Sequence, residues 1–160
     1  MTARVVKLSE IVTADRVRVL EEGEHLAKRE CLERLSGLLA HGIPAAPDRI
    51  LAVLEEREAL QSTGIGDGVA MPHGTLEGAG GQVGALLICP GGVDFETIDD
   101  LPANILFAVV GPKQAVEHLK VLARVSKVLR SAGFRERLLG QKDALAAFNL
   151  LSAEDDAVSG

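Results

Sequence analysis

The chain contains no tryptophan and no tyrosine, and only four phenylalanines among its 160 residues. Its core must therefore be aliphatic, and the 47% hydrophobic content supplies enough Leu, Val, Ile and Ala for one. Positive charge is also scarce, with 17 Lys and Arg against 23 Asp and Glu, a formal net charge of −6. No basic cluster comes with spaced aromatics, so nucleic acid is not an expected partner. No segment reaches the run of about 20 apolar residues that spans a bilayer. The amino terminus lacks the basic-then-apolar order of a secretion signal. The expectation is a cytoplasmic protein without direct membrane insertion. Cys31 and Cys89 are too few for a disulfide framework or a thiolate metal site, which leaves buried reduced thiols as their expected state.

What is present is a length suited to one domain with one sizeable core. A short helical turn is expected at residues 8–12 and an extended segment at 17–20. Helical spacing runs from His25 to His41, and again from Pro47 to Glu58, with Ile50, Leu51 and Leu54 inward. Val69-Ala70-Met71 reads as a short strand, while 83–89 and 104–110 have the apolar continuity of strands covered on both faces. Pro90-Gly91-Gly92 is expected to close the first of these. A helix follows over 112–131, with Ala115, Val116, Leu119, Leu122, Ala123, Ser126 and Leu129 as its inward stripe. Shorter helices at 134–139 and 144–151 leave 152–160 as a polar C-terminal tail. This order indicates a layered α/β domain.

The richest stretch is 57–74, REALQSTGIGDGVAMPHG. An arginine ends a helix, glycines at 64, 66 and 68 permit tight turns, and Pro72 restricts the direction in which His73 leaves. A histidine presented beside amide donors and an arginine suits the carriage of a phosphoryl group. The run lacks the helix placement of a dinucleotide fingerprint and the GKS/T ending of a P-loop, so neither ATP nor another cofactor is expected. His73 and His118 have no third ligand at metal-site spacing. His25 and His41 read as capping or solvent-exposed groups, and Asp94, Glu96, Asp99 and Asp100 as a hydrated loop.

Arg57-Glu58, Ser62-Thr63-Gly64-Ile65-Gly66 and Val69-Ala70-Met71-Pro72-His73-Gly74 resemble the IIA domain of the fructose–mannitol class of bacterial phosphotransferase systems. Within that class, the free-standing nitrogen-regulatory type is the nearest in appearance. Asp94 to Asp99, Ile105 to Ala108 and Glu117 to Leu122 extend the resemblance in order over residues 5–151. It implies a mixed β-sheet flanked by helices on both faces. It also implies that His73 accepts a phosphoryl group on Nε2 from an HPr-like phosphocarrier protein, with Arg57 and His118 nearby. A neutral imidazole can attack phosphorus, and a hydrogen bond at Nδ1 would hold the useful tautomer. Arg57 suits the phosphoryl oxygens and His118 a hydrogen-bonding or orienting role. Ser62, Thr63, Gly64 and Gly66 are candidate phosphate contacts, with turn formation as the alternative. Asp67 is expected to face solvent.

For a nitrogen-type member the resemblance implies regulation of a sensor kinase or potassium-transport target according to phosphorylation state. Two other readings stand beside it. One is a sugar-uptake subunit passing phosphate to a IIB domain, and the other is a non-catalytic interaction protein of the same fold.

Overall fold

A computed structural model of the chain describes residues 6–113 and 115–159. Val5, the expected start of the domain, lies outside them, as does Gln114, within the expected helix over 112–131. Five helices are described: α1 (Lys28–Leu39), α2 (Pro47–Leu60), α3 (Ala115–Val128), α4 (Ala132–Leu139) and α5 (Ala144–Ser159). The strands are β1 (Val17–Val19), β2 (Gly64–Gly66), β3 (Val69–Ala70), β4 (His73–Thr75), β5 (Val83–Val93) and β6 (Ala103–Gly111). Single 3-10 turns at Leu8–Glu10 and Ala14–Arg16 precede β1.

Strand order is β1-β5-β6-β3-β2, with β4 also on β6. Parallel and antiparallel pairs mix: β1 runs parallel to β5, β5 antiparallel to β6, and β3 and β4 both parallel to β6. β3 pairs with Ile105 and Leu106, and β4 with Val109 to Gly111, so the two lie end to end along one edge of β6. Pro72 interrupts them without breaking the attachment, because its carbonyl accepts from the Val109 N–H at 3.0 Å.

Along β6, Leu106, Ala108 and Val110 join the core beneath α1 and α2. Ile105, Phe107 and Val109 join the opposite core, with α3, α4 and α5. Period-two alternation thus buries both faces of one strand, as its unbroken apolar sequence requires. The sheet is flanked by helices on both sides, as expected.

Three expectations are corrected. β5 continues through Pro90 to Val93, because its register against β6 shifts between Ile88 and Val93. A bulge tolerates the missing proline N–H, and Asn104 Nδ2 donates to the carbonyls of Cys89 and Pro90 across it. α3 follows the expected stripe only in part: Leu122 and Leu129 pack inward, but Val116 and Leu119 are 66% and 64% exposed, and Ala123 is exposed too. The buried row is His118, Val121, Val125 and Val128, spaced three or four apart. A helix with apolar residues on two faces does not reveal which one the sheet will take. The third correction is the C-terminal tail, which is helical to Ser159. Leu151 and Asp155 are both 1% exposed, and Asp155 accepts from Arg124 Nε at 2.5 Å and from the Leu8 N–H at 2.7 Å. A buried ion pair, rather than apolar content, carries the helix past its hydrophobic end.

Candidate functional site

The site forms where α2, β4 and α3 meet. Gly74 sets the first contact: a Cβ there would lie 2.5 Å from Val53 Cγ1, so only glycine lets α2 close onto β4 at this depth. That approach brings the last turn of α2, with Arg57, to the strand that starts at His73. On the other side, β6 ends at Gly111, and the chain turns through Pro112 into α3, which carries His118. A cleft of about 340 Å³ results, lined by Val53, Glu56, Arg57, Leu60, His73, Gly74, Thr75 and His118.

His73 is half-buried, and its Nδ1 lies 2.8 Å from the Met71 carbonyl oxygen. A carbonyl can only accept, so Nδ1 carries the proton and Nε2 of the neutral ring keeps its lone pair. Burial is the main influence on this ring and pushes its pKa below the ordinary 6.5. The Met71 carbonyl and the Glu58 carboxylate oppose that shift, while the Arg57 charge adds to it. Desolvation disfavours the imidazolium and so favours a nucleophilic ring.

His118 is 9% exposed, and its ring centroid stands 5.6 Å from that of His73, tilted by 48°. Its pKa is also lowered, first by burial and then by His73. Its Nδ1 meets Gln82 Oε1 at 2.8 Å. Arg57 donates from Nη1 to the Gln61 carbonyl at 2.9 Å. That bond anchors the guanidinium at the C-terminus of α2 and leaves its other N–H groups available.

Three of the residues singled out in the sequence, His73, Arg57 and His118, therefore share one cleft. The other four do not line it. Ser62 Oγ donates to the Phe95 carbonyl at 2.7 Å and accepts from the Gly64 N–H at 3.1 Å. Thr63 is 5% exposed and donates both its hydroxyl and its N–H to Glu58, at 2.6 and 2.8 Å. Gly64 and Gly66 belong to the short β2 strand, where the space a side chain would fill is taken by Thr97 and Asp99. The candidate phosphate contacts thus lie outside the cleft: Phe95 and Glu58 take up the Ser62 and Thr63 hydroxyls, Ser62 takes up the Gly64 N–H, and the two glycines sit in a strand that leads into the turn. Asp67 forms the hairpin turn with φ 58° and faces solvent, as expected.

Two residues were missed. Glu58 is 8% exposed and also pairs with Lys28 Nζ at 3.0 Å. Its buried carboxylate fixes the exit of α2 next to Arg57. Gln82 meets His118 Nδ1, and the only sequence signal was an amide placed between a glycine run and an apolar strand. A larger cavity of about 500 Å³ lies between α1, α2 and the loop at Glu96, but its lining charges are matched: Lys28 with Glu58 and Glu96, Arg29 with Glu55. No group of three His, Cys, Asp or Glu among the described residues could hold a metal. No helix among them is long and apolar enough to cross a membrane.

Comparison with known proteins converges on one family. The model of a family described as "Phosphoenolpyruvate-dependent sugar phosphotransferase system, EIIA 2" matches residues 10–154. A nitrogen regulatory protein of Pseudomonas aeruginosa is 33% identical over 149 residues, covering 92% of this chain and 96% of that protein. The crystal structure of nitrogen regulatory protein IIA-Ntr from Neisseria meningitidis superposes with a TM-score of 0.80 at 28% identity, over 90% of this chain and 98% of that one. IIA mannitol from Escherichia coli has the same fold, with a TM-score of 0.70 at 24% identity over 88% and 98% of the two chains.

Proposed function

From the premise that this chain belongs to the EIIA 2 family of the phosphoenolpyruvate-dependent sugar phosphotransferase system, and so has its phosphotransfer function, we propose a specific role. His73 accepts a phosphoryl group on Nε2 from an HPr-like phosphocarrier protein, and the phosphorylation state then regulates partner proteins. The observation that carries this reading is the bond from His73 Nδ1 to the Met71 carbonyl, which leaves Nε2 as the nucleophile in a cleft shared with Arg57 and His118. In the transfer, the phosphorus–nitrogen bond of the donor phosphohistidine breaks as the bond to His73 Nε2 forms. Arg57 supplies charge-assisted donors to the phosphoryl oxygens, fixed in place rather than recruited. Leu60, Val116 and Leu119 are 81%, 66% and 64% exposed at the cleft and on the open face of α3, an apolar seat for a docking carrier protein.

The regulatory part of the proposal rests on the likeness to nitrogen regulatory proteins along nearly the whole chain. The test is incubation with a phosphorylated HPr-like carrier, with the modified residue mapped under conditions that preserve phosphohistidine. Phosphate on His73, lost in His73→Ala, is expected. Undiminished labelling of that variant would refute the assignment. Onward transfer to a IIB protein would place the chain in sugar uptake instead of regulation.

A further inference from the structure

We propose that Gln82 is a positioning residue that locks His118 in its Nδ1–H tautomer, so that His118 Nε2 can donate to a phosphoryl group on His73 only after taking up a proton. The proton-linked half of this inference rests on the phosphoryl-acceptor reading of His73, whereas the tautomer half does not.

The amide of Gln82 has two contacts and one consistent orientation. Its Nε2 donates to the Pro112 carbonyl at 3.3 Å, which turns Oε1 towards His118 Nδ1 at 2.8 Å. An amide oxygen can only accept, so Nδ1 must carry hydrogen. Gly111 holds the amide in place: a Cβ there would fall 2.4 to 2.5 Å from Gln82 Cδ, Nε2 and Oε1. Side-chain orientation and histidine tautomer are thus set by the backbone at the end of β6.

The same logic applies to His73, whose Nδ1 donates to Met71. Both neutral rings therefore present bare Nε2 atoms to one cleft, with centroids 5.6 Å apart. Two lone pairs cannot bond to each other, and a lone pair on His118 would repel the oxygens of a phosphoryl group on His73. A proton from solvent on His118 Nε2 converts that repulsion into a charge-assisted hydrogen bond. The transfer balances as a PO3− unit passing from a donor phosphohistidine protonated on its other nitrogen, which leaves as neutral imidazole, to His73 Nε2, whose ring keeps its Nδ1–H on Met71; the solvent proton bound by His118 Nε2 is additional to that step. The charged and titratable groups around His118 are His73 from β4, Arg57 and Glu56 from α2, and Glu117 and Lys120 on its own helix. Of these, His73 is the one whose charge changes, since the phosphoryl oxygens bring negative charge into the cleft, and an opposite charge within about 4–6 Å raises a histidine pKa by about 1–3 units.

The experiment is nitrogen-15 NMR of the histidine rings across pH, on the unphosphorylated and phosphorylated whole chain, for the native sequence, Gln82→Leu and Gln82→Glu. In the unphosphorylated native protein His118 should show a protonated-type Nδ1 and a bare-type Nε2. Gln82→Leu should give a mixture of tautomers, and Gln82→Glu should restore the single tautomer and raise the His118 midpoint. On phosphorylation the native His118 midpoint should rise by about one pH unit or more. A bare Nδ1 in the native protein, or an unchanged His118 spectrum in folded Gln82→Leu, overturns the positioning role. A midpoint that does not rise in protein shown to carry phosphate on His73 overturns the proton linkage. Absence of phosphate from His73 would instead count against the acceptor reading, while leaving the tautomer result to be judged by itself.

Discussion

Asp155→Ala tests whether residues after 151 belong to the fold. The Asp155 and Arg124 side chains are 2% and 9% exposed, with Oδ1 accepting from Nε at 2.5 Å. Oδ2 accepts from the Leu8 N–H at 2.7 Å, so one carboxylate ties the last helix to both α3 and the first turn of the chain. Removing one member of a buried pair costs about 3–5 kcal/mol, although Arg124 Nη2 keeps its bond to the backbone carbonyl of residue 155. The Leu8 N–H would lose a partner as well, a loss of about 1–3 kcal/mol that overlaps with the first rather than adding fully. A destabilisation of about 3–5 kcal/mol is therefore expected, or roughly 10 °C in Tm for a domain of this size. Urea and thermal unfolding monitored by circular dichroism measure it. Arg124→Leu combined with Asp155→Leu should recover most of the loss, since no charge is then left buried. A change below about 1 kcal/mol in Asp155→Ala would refute the reasoning and return residues 152–160 to the status of a tail.

Arg57→Lys keeps the charge but loses the fixed fork of donors, and phosphoryl transfer to His73 should slow by about 10²-fold in single-turnover assays. Burial holds the pKa values of His73 and His118 below the ordinary 6.5. Their contribution to stability is thus complete above about pH 6.5 and is lost as pH falls through the lower folded-state values. A His73→Gln, His118→Gln variant should lose less stability than the native chain between about pH 6.5 and 5 in urea titrations. Gly74→Ala should cost about 1–3 kcal/mol in thermal melts through overpacking against Val53, and Val53→Ala should relieve it in the double variant.

The large features were legible because they depend on patterns that physics reads in one way. An apolar run such as 104–110 can only be buried on both faces, and Pro47 can only open a helix or a turn. α3 was misread in part because Val116 and Leu119 are as apolar as Val121 and Val125, and spacing alone does not choose between two apolar faces. Pro90 looked like an end because a bulge depends on the neighbouring strand, which the local sequence does not contain. Asp155 looked like solvent-facing charge because its partner Arg124 lies 31 residues away. At the site, His73 and Arg57 stood out through their local motif. Ser62 and Thr63 have the right chemistry for phosphate, but Glu58 and Phe95 claim their hydroxyls. Gln82 was invisible because its meaning lies in a contact with His118, 36 positions on.

Both rings of the cleft are tied to the end of one strand, β6, although His118 rides on α3. β4 places His73 opposite Val109, while Gly111 and Pro112 hold the amide that holds His118. The Gln82 tether therefore limits how far α3 can carry His118 away from His73 when the helix moves. Anyone transplanting this chemistry into a foreign scaffold would do well to copy that strand terminus first and the helices second.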